Sequence, residues 1–385
     1  AQYHYLSKGG AMITASHNPR EFNGLKLGVG FSDTLITEEI QELKEITLSG
    51  EFKGWDKTGS VRVDDVFPSY KADLFKRIPL HDSGLKVVID SSCATTGKFL
   101  PDILREAGCT VIEQNTNLDP TFPLGTPDPT EKDVLERLAK GVSEHQADLG
   151  VAYDADGDRV GVVDAHGRLL WNDVLVALFA QDILHYLPNS PIVFNALCSK
   201  VVVDTIKSHG GEPVMWLTGH SFIKAKVRET RAPFGGELSG HFFFMDNFYG
   251  HDDGAFATLR LLQFLKRTGK TLAQAVDELP QYISSPEIKL GLADTIKFDF
   301  VKTHFANDIK ALFPNGAYTD IDGFRADDAT RMAIIRASQN GPYVTIKFEG
   351  KTQEEYDALK NAIKQILQKY TEVDWEKGVN LNGFE

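Results

Sequence analysis

The sequence predicts an α/β protein whose last third turns to an α+β layout, and two observations carry that expectation. A strand–helix–strand pattern occurs twice. Its first copy reads "LKVVID", "KFLPDILREAG" and "CTVIEQ" between Leu85 and Gln114; its second reads "PIVFN", "KVVVDTIKSHGG" and "EPVMWL" between Pro191 and Leu217. Short apolar strands joined through an amphipathic helix pair in parallel by right-handed crossovers, so sheets of mostly parallel strands are expected. After "LPQYISSPEIKL" the character changes. A helix-like run from Thr295 to Leu312 precedes three stretches, "AYTDIDGFRAD", "RMAIIRAS" and "YVTIKFEG", and a final helix from about Thr352 to Tyr370. Strands in sequence followed by a helix make an antiparallel sheet with a helical cover.

The elements follow in chain order. Ala11, Met12 and Ile13 are apolar enough for a covered strand, which Ser16, His17, Asn18 and Pro19 cannot continue, because Pro19 removes a backbone donor. A polar turn must follow with Ser16 at its apex. A capping or turn role is the ordinary fate of a serine beside proline; the functional alternative is a nucleophile or phosphate carrier, with Lys26 close by to neutralise charge. "TEEIQELKEI" spaces Ile40, Leu43 and Ile46 along one helix face behind a Thr37 cap. Between the two βαβ copies, "EKDVLERLAKGVSEH" reads as a helix, "ADLGVAY" as a strand and "RVGVVDAHGRLL" as a hairpin turned at His166-Gly167.

A chain of 385 residues suggests two to four domains of roughly 100 to 200 residues each. Its composition, 42% hydrophobic and 25% charged, is that of a soluble protein. No apolar stretch approaches the ~20 residues of a membrane span, and "AQYHYLSKGG" lacks the features of a secretory signal. Cys93, Cys109 and Cys198 read as buried thiols of a reducing, cytoplasmic setting. A net charge of -13 argues against nucleic-acid binding through a general basic field. Any anionic substrate must then be held by a local cluster of positive groups.

Three clusters carry chemistry. In "YDADGDRVG", Asp154, Asp156 and Asp158 alternate with small residues between two apolar strands, so their carboxylates can converge on one hard cation such as Mg²⁺. An EF-hand is excluded, since Arg159 and Ala165 stand where that loop needs Gly and Glu. In "FGGELSGHFFF", Glu237, Ser239 and His241 sit at alternate positions and in an extended segment would point the same way, as readers of sugar hydroxyls. Upstream, "LTGHSFIK" offers His220 and Lys224 beside a tight glycine turn. In "IIRASQNGPYVTIKFEG", Arg336, Ser338, Gln339 and Asn340 form a polar turn between two strands, suited to a phosphate or to a plain hairpin loop.

Taken in this order, "TASHNP", "DADGDR", "GELSGH" and "RAS" resemble the four signature segments of the α-D-phosphohexomutases, the phosphomannomutase/phosphoglucomutase family, across essentially the whole chain. The resemblance implies three related α/β domains, at 1–75, 76–167 and 168–283, and an antiparallel α+β domain at 284–385. It makes Ser16 a phosphoserine that donates and reclaims a phosphoryl group, Mg²⁺ held by Ser16, Asp154, Asp156 and Asp158, and Lys26 and Arg159 further positive charge. Lys26 and His220 become candidates for proton transfer, Glu237, Ser239 and His241 the sugar readers, and Arg336, Ser338, Gln339 and Asn340 the phosphate clamp. The implied substrates are mannose and glucose 1- and 6-phosphates, through a hexose 1,6-bisphosphate; "GELSGH" is closest to the "GEMSGH" of enzymes that accept both sugars. A sugar-phosphate-binding relative without catalysis and a metal-dependent phosphatase remain as alternatives. Two departures stand out. Only fifteen residues precede Ser16, so the first domain is expected to be incomplete at its N-terminus, without the arginine that faces the reacting phosphate. Leu197 stands where relatives commonly place a lysine, with Lys200 nearby.

Overall fold

The computed structural model describes every residue except Ile36, Trp55, Lys57 and Asn340, together with the side chain of Thr37. The Thr37 cap and the Asn340 contact of the phosphate clamp therefore lie outside the described residues. The chain divides into two compact units. One comprises Ala1–Asn172, His220–Arg228 and Ser239–Gln274; the other comprises Asp173–Gly219, Glu229–Leu238 and Ala275–Glu385.

In the first unit, five strands form a mixed sheet in the order Thr110–Gln114, Lys86–Asp90, Leu149–Tyr153, Val160–Asp164 and Leu169–Leu170. The first three run parallel, as the βαβ reading requires, and each of the last two is antiparallel to the strand before it. Gly167 closes the final hairpin at φ 76°, a backbone conformation that favours glycine. The amphipathic helix Lys132–His145 packs on this sheet through Val134, Leu135, Leu138 and Val142, against Val88, Ala152 and Val163. Helix Leu100–Glu106 begins later than its pattern suggested, because a 3-10 turn at Thr95–Lys98 precedes it and Pro101 occupies its first turn.

An antiparallel meander of Gly10–Ile13, Leu25–Gly30 and Asp33–Thr34 completes the strands before the five-stranded sheet. Its first strand is not covered as expected. Ile13 is 74% exposed and the paired Leu25 62%, because no described layer packs on their face; Met12, on the opposite face with Lys26, is 46% exposed. The helix Thr37–Ser49 forms, yet Ile40, Leu43 and Ile46 are also exposed. Hydrogen bonds rather than apolar burial tie the meander to the rest of the unit: Arg228 donates to Phe31 O, and Thr34 Oγ1 lies 3.2 Å from Ser221 Oγ.

In the second unit, Pro191–Asn195 is flanked in parallel by Glu212–Trp216 and Phe234–Gly236. The C-terminal sheet is antiparallel, in the order Ala317–Thr319, Phe324–Asp327, Arg331–Ala337, Tyr343–Gly350, Ile288–Gly291 and Asp374–Val379, with Ile283–Ser284 also on Tyr343–Gly350. Helix Gln353–Gln368 covers it and starts with a capping box, Thr352 and Glu355 each satisfying the other's backbone amide. The helical run after Thr295 is interrupted by a π-turn at Val301–Phe305.

Buried ionic groups join these two parts of the unit. Arg325 donates to Ala196 O and Cys198 O, Lys347 sits 2.7 Å from Asp173, and Glu349 accepts from Ser199 Oγ and the Lys200 amide. Leu197 packs with Met332 and Ile334, while Lys200 is buried with its Nζ 5.8 Å from the Tyr282 ring. The lysine expected near Leu197 is thus replaced by a core side chain. Of the cysteines, Cys109 and Cys198 are buried, but Cys93, in a turn at φ 62°, is only partly so.

Candidate active site

The loop between the first two strands carries Ser16, as the strand-breaking sequence required. Its neck is closed by Thr14 N donating to Gly24 O at 3.1 Å, and its tip by Asn18 N donating to Ala15 O at 2.9 Å. Ser16 itself takes φ 53°, a left-handed conformation unfavourable for a non-glycine residue. The cost is offset locally: Ser16 N donates to Thr14 Oγ1 at 2.8 Å, and Thr14 Oγ1 donates to Asp156 Oδ2 at 2.8 Å. The Ser16 hydroxyl then lies 3.2 Å from Asp154 Oδ2, 3.1 Å from Arg159 Nη2 and 3.3 Å from His17 Nδ1.

Asp154, Asp156 and Asp158 lie on the loop joining Leu149–Tyr153 to Val160–Asp164, so adjacent sheet strands fix both of its ends. One oxygen from each of the three lies within 4.8 Å of the others. Asp154 is fully buried, accepting from the Gly157 and Arg159 amides and from Arg159 Nε at 3.0 Å. Burial, followed by the charge of Asp158, pushes its carboxyl well above the usual range. Burial also pushes Asp156 up, but Lys26 outweighs it and leaves that carboxyl below its ordinary value. Lys26, from strand Leu25–Gly30, reaches Asp156 Oδ2 at 2.8 Å and Asp158 Oδ2 at 2.5 Å. Burial opposes its charge, and the two carboxylates nevertheless hold it as an ammonium. Asp156 Oδ1 and Asp158 Oδ1 are buried without a hydrogen-bond partner. Three crowded hard-oxygen donors, two with an orphaned oxygen, fit a small divalent cation.

Arg159 is 4% exposed and bridges this group to Asp128, 3.5 Å away. His17 lies 3.6 Å from the same Asp128. Burial and then the Arg159 charge push the His17 ring below its ordinary value. A cavity of about 650 Å³ opens on the other side, bordered by Lys26, Asp156, Asp158, His220, Lys224 and Asp252, with an apolar wall that includes Met12 and Phe67. At this border His241 Nδ1 is 2.8 Å from Asp252 Oδ2 and 3.7 Å from Asp158 Oδ1. His220 opens the helix His220–Thr230 and is pushed down to about 4 by burial, which keeps it neutral.

The segment "GELSGH" is a turn rather than the expected extended stretch, with Gly240 at φ 91°, so its alternate side chains do not share one strand face. Glu237 belongs to the second unit, where Oε1 accepts from the Gly219 amide at 2.7 Å; Ser239 and His241 belong to the first. Also in the second unit, Arg336 Nε lies 3.0 Å from Asp322 Oδ2, which accepts from the Thr218 amide at 3.0 Å. Arg336 is inside strand Arg331–Ala337, paired with Thr345, and only Ser338 and Gln339 of the described clamp residues lie beyond that strand. Ser338 is buried and Gln339 exposed.

Family comparison decides what this arrangement belongs to. The models for phosphoglucomutase/phosphomannomutase α/β/α domains I, II and III match residues 1–54, 68–167 and 171–282 in succession. The chain belongs to the phosphoglucomutase/phosphomannomutase family. It is 36% identical over 360 residues to a phosphomannomutase/phosphoglucomutase of Pseudomonas aeruginosa, a match that covers 94% of this chain and 76% of that protein. It is 35% identical over 367 residues to a phosphoglucomutase of Neisseria meningitidis, covering 95% and 79%. A phosphoglucomutase/phosphomannomutase family protein of Burkholderia thailandensis has the same fold at a TM-score of 0.85 and 31% identity, over 94% of this chain and 76% of that one. The expected architecture, three α/β domains and an antiparallel C-terminal domain, is that of this phosphohexomutase. No described helix is long and apolar enough to cross a membrane.

Sequence reasoning missed four residues that contact the expected ones: Thr14, Asp128 and Asp252 in the first unit and Asp322 in the second. Thr14 was within reach, since it stands two residues before Ser16. The other three come from loops remote in sequence, and no spacing signals them.

Proposed function

We propose that this phosphohexomutase interconverts hexose 1- and 6-phosphates, mannose and glucose among them, through a phosphoserine at Ser16 and a hexose 1,6-bisphosphate. The observation that carries the reading is the placement of Ser16 Oγ between Asp154 Oδ2 at 3.2 Å and Arg159 Nη2 at 3.1 Å. A hydroxyl so placed has a cationic donor for a phosphoryl oxygen on one side and a metal-binding carboxylate on the other. Mg²⁺ on Ser16, Asp154, Asp156 and Asp158 would neutralise the roughly -2 charge that phosphorylation brings.

In the first half-reaction the phosphoserine P–O bond breaks as a P–O bond to a sugar hydroxyl forms. The hydroxyl proton needs an acceptor. His220 is the better candidate, because burial keeps its ring neutral. Lys26, held as an ammonium by two carboxylates, serves instead as fixed positive charge. Arg159 donates to the departing Ser16 oxygen, and the left-handed backbone at Ser16 keeps that oxygen turned out of its loop. The second half-reaction returns the sugar's other phosphoryl group to Ser16. Arg336, Ser338, Gln339 and Asn340 hold the phosphate that is not reacting, and Glu237, Ser239 and His241 read the hydroxyls. The chain works in the cytoplasm.

A coupled assay from mannose 1-phosphate to mannose 6-phosphate, beside a free-phosphate assay, tests the reading. Isomerisation without net phosphate release is expected, with one phosphate mapped to Ser16 and no turnover by Ser16→Ala. Phosphate release alone would mark a phosphatase, binding without either product a non-catalytic relative, and full activity in Ser16→Ala would remove Ser16 from the reaction.

A further inference from the structure

We infer that Asp252 is a positioning residue that orients His241 and His220 together beside the aspartate loop, a role that rests on the phosphoryl-transfer reading above. Asp252 stands two residues before the helix Gly254–Thr268, and its backbone forms a β-bridge to Phe243, two residues beyond His241. The carboxylate therefore sits on a rigid edge shared with the histidine it faces. Its side chain is 9% exposed, and Oδ2 lies 2.8 Å from His241 Nδ1 and 3.7 Å from His220 Nδ1. The two imidazoles lie nearly parallel, 5.6 Å apart with 28° between their planes.

An imidazole exposes two different nitrogens, and the partner of one settles what the other can do. With Nδ1 facing Asp252, His241 keeps a proton on that nitrogen and presents Nε2 in a set direction. A buried carboxylate is tolerated only beside compensating groups. Here His241, chiefly, and the buried Lys224 supply them, and they outweigh burial and hold the Asp252 carboxyl well below its ordinary range. The adjacent Asp253 has a different job: it accepts from the Phe256 amide at the helix start and from the Tyr70 hydroxyl at 2.9 Å. Sequence adjacency thus conceals one acid that caps a helix and one that orients the histidines.

Kinetics on the full chain test this. Asp252→Asn should lower kcat by roughly 10- to 100-fold with KM little changed, and Asp252→Glu should recover part of the loss. The triple variant Asp252→Asn/His220→Asn/His241→Asn should be no slower than His220→Asn/His241→Asn, because Asp252 acts only through these two rings. Independent, multiplying losses would overturn the inference. The ¹⁵N ring spectrum of His241 reads the same contact without activity: it should show a protonated Nδ1 in the parent chain and lose that signature in Asp252→Asn. An unchanged spectrum would overturn the role, as would a second Mn²⁺ per chain lost on His241→Asn, which would make Asp158, His241 and Asp252 metal ligands instead. If the coupled assay shows no mutase activity, the phosphoryl-transfer reading fails by itself, and the ring spectra still decide what Asp252 does.

Discussion

Thr14 Oγ1 donates to Asp156 Oδ2 at 2.8 Å while accepting from Ser16 N at the same distance, so one hydroxyl ties the Ser16 backbone to the aspartate loop. It links two segments 142 residues apart in sequence and stabilises the left-handed turn at Ser16. Thr14→Val keeps the shape and removes both bonds. A loss of roughly 1–3 kcal/mol in ordering the loop is expected, which corresponds to about 5- to 160-fold in kcat. Unchanged kcat, with phosphate still mapped to Ser16, would show that the turn holds without this bond.

The aspartate loop should bind one divalent cation. Asp156→Asn removes one negative ligand and one partner of Lys26, so both Mg²⁺ affinity and turnover should fall, each by at least about tenfold. Calorimetric titration with Mg²⁺ reads the first and the coupled assay the second. Full activity in excess chelator would refute the cation's role.

Arg336 and Glu237 should fail differently. Arg336, 3.0 Å from Asp322, is assigned the phosphate common to every substrate, so Arg336→Ala should raise KM for all hexose phosphates alike. Glu237→Ala should discriminate between glucose and mannose phosphates, because a carboxylate accepts from particular hydroxyls. The same pattern of losses in both variants, across both sugars, would count against separate roles.

Acid stability should carry the signature of His251. Its ring is half-buried beside Phe248 and Tyr249, Nδ1 lies 3.1 Å from Ser32 Oγ, and desolvation pushes it down to about 4 from 6.5. A histidine depressed on folding contributes stability that is present above its unfolded pKa and lost as pH falls through the folded one. The loss should therefore run from about pH 6.5 to 4 and reach on the order of 3 kcal/mol. Urea denaturation of the full chain at several pH values should show a shallower acid slope for His251→Gln than for the parent, and identical slopes would refute the assignment.

The exposed face of the N-terminal meander should drive self-association. Ile13 is 74% exposed and Leu25 62%, and the two are paired neighbours on adjacent strands. Replacing both by threonine should lower the apparent mass in light scattering at high concentration and leave the melting temperature nearly unchanged. A monodisperse parent chain would rule out association through this face.

Sequence by itself determined what depends on local pattern. The βαβ copies, the hairpin at His166-Gly167 and the capped C-terminal helix each follow from apolar periodicity, glycine placement or a capping pair, which act over a few residues. Asp154, Asp156 and Asp158 were legible for the same reason, since three acids in five residues between apolar strands need a compensating charge. Tertiary structure alone decided everything that required distant segments to meet. Asp252 comes to His241 through a β-bridge, Asp128 to Arg159 from a separate loop, and Lys26 to the aspartates from another sheet. It also decided which apolar residues are covered: Met12 and Ile13 have the pattern of a buried strand, and burial depends on a second layer that their own sequence does not encode. The turn at "GELSGH" illustrates the same limit, because alternation fixes a common face only where the backbone is extended, and Gly240 in a left-handed conformation ends that condition.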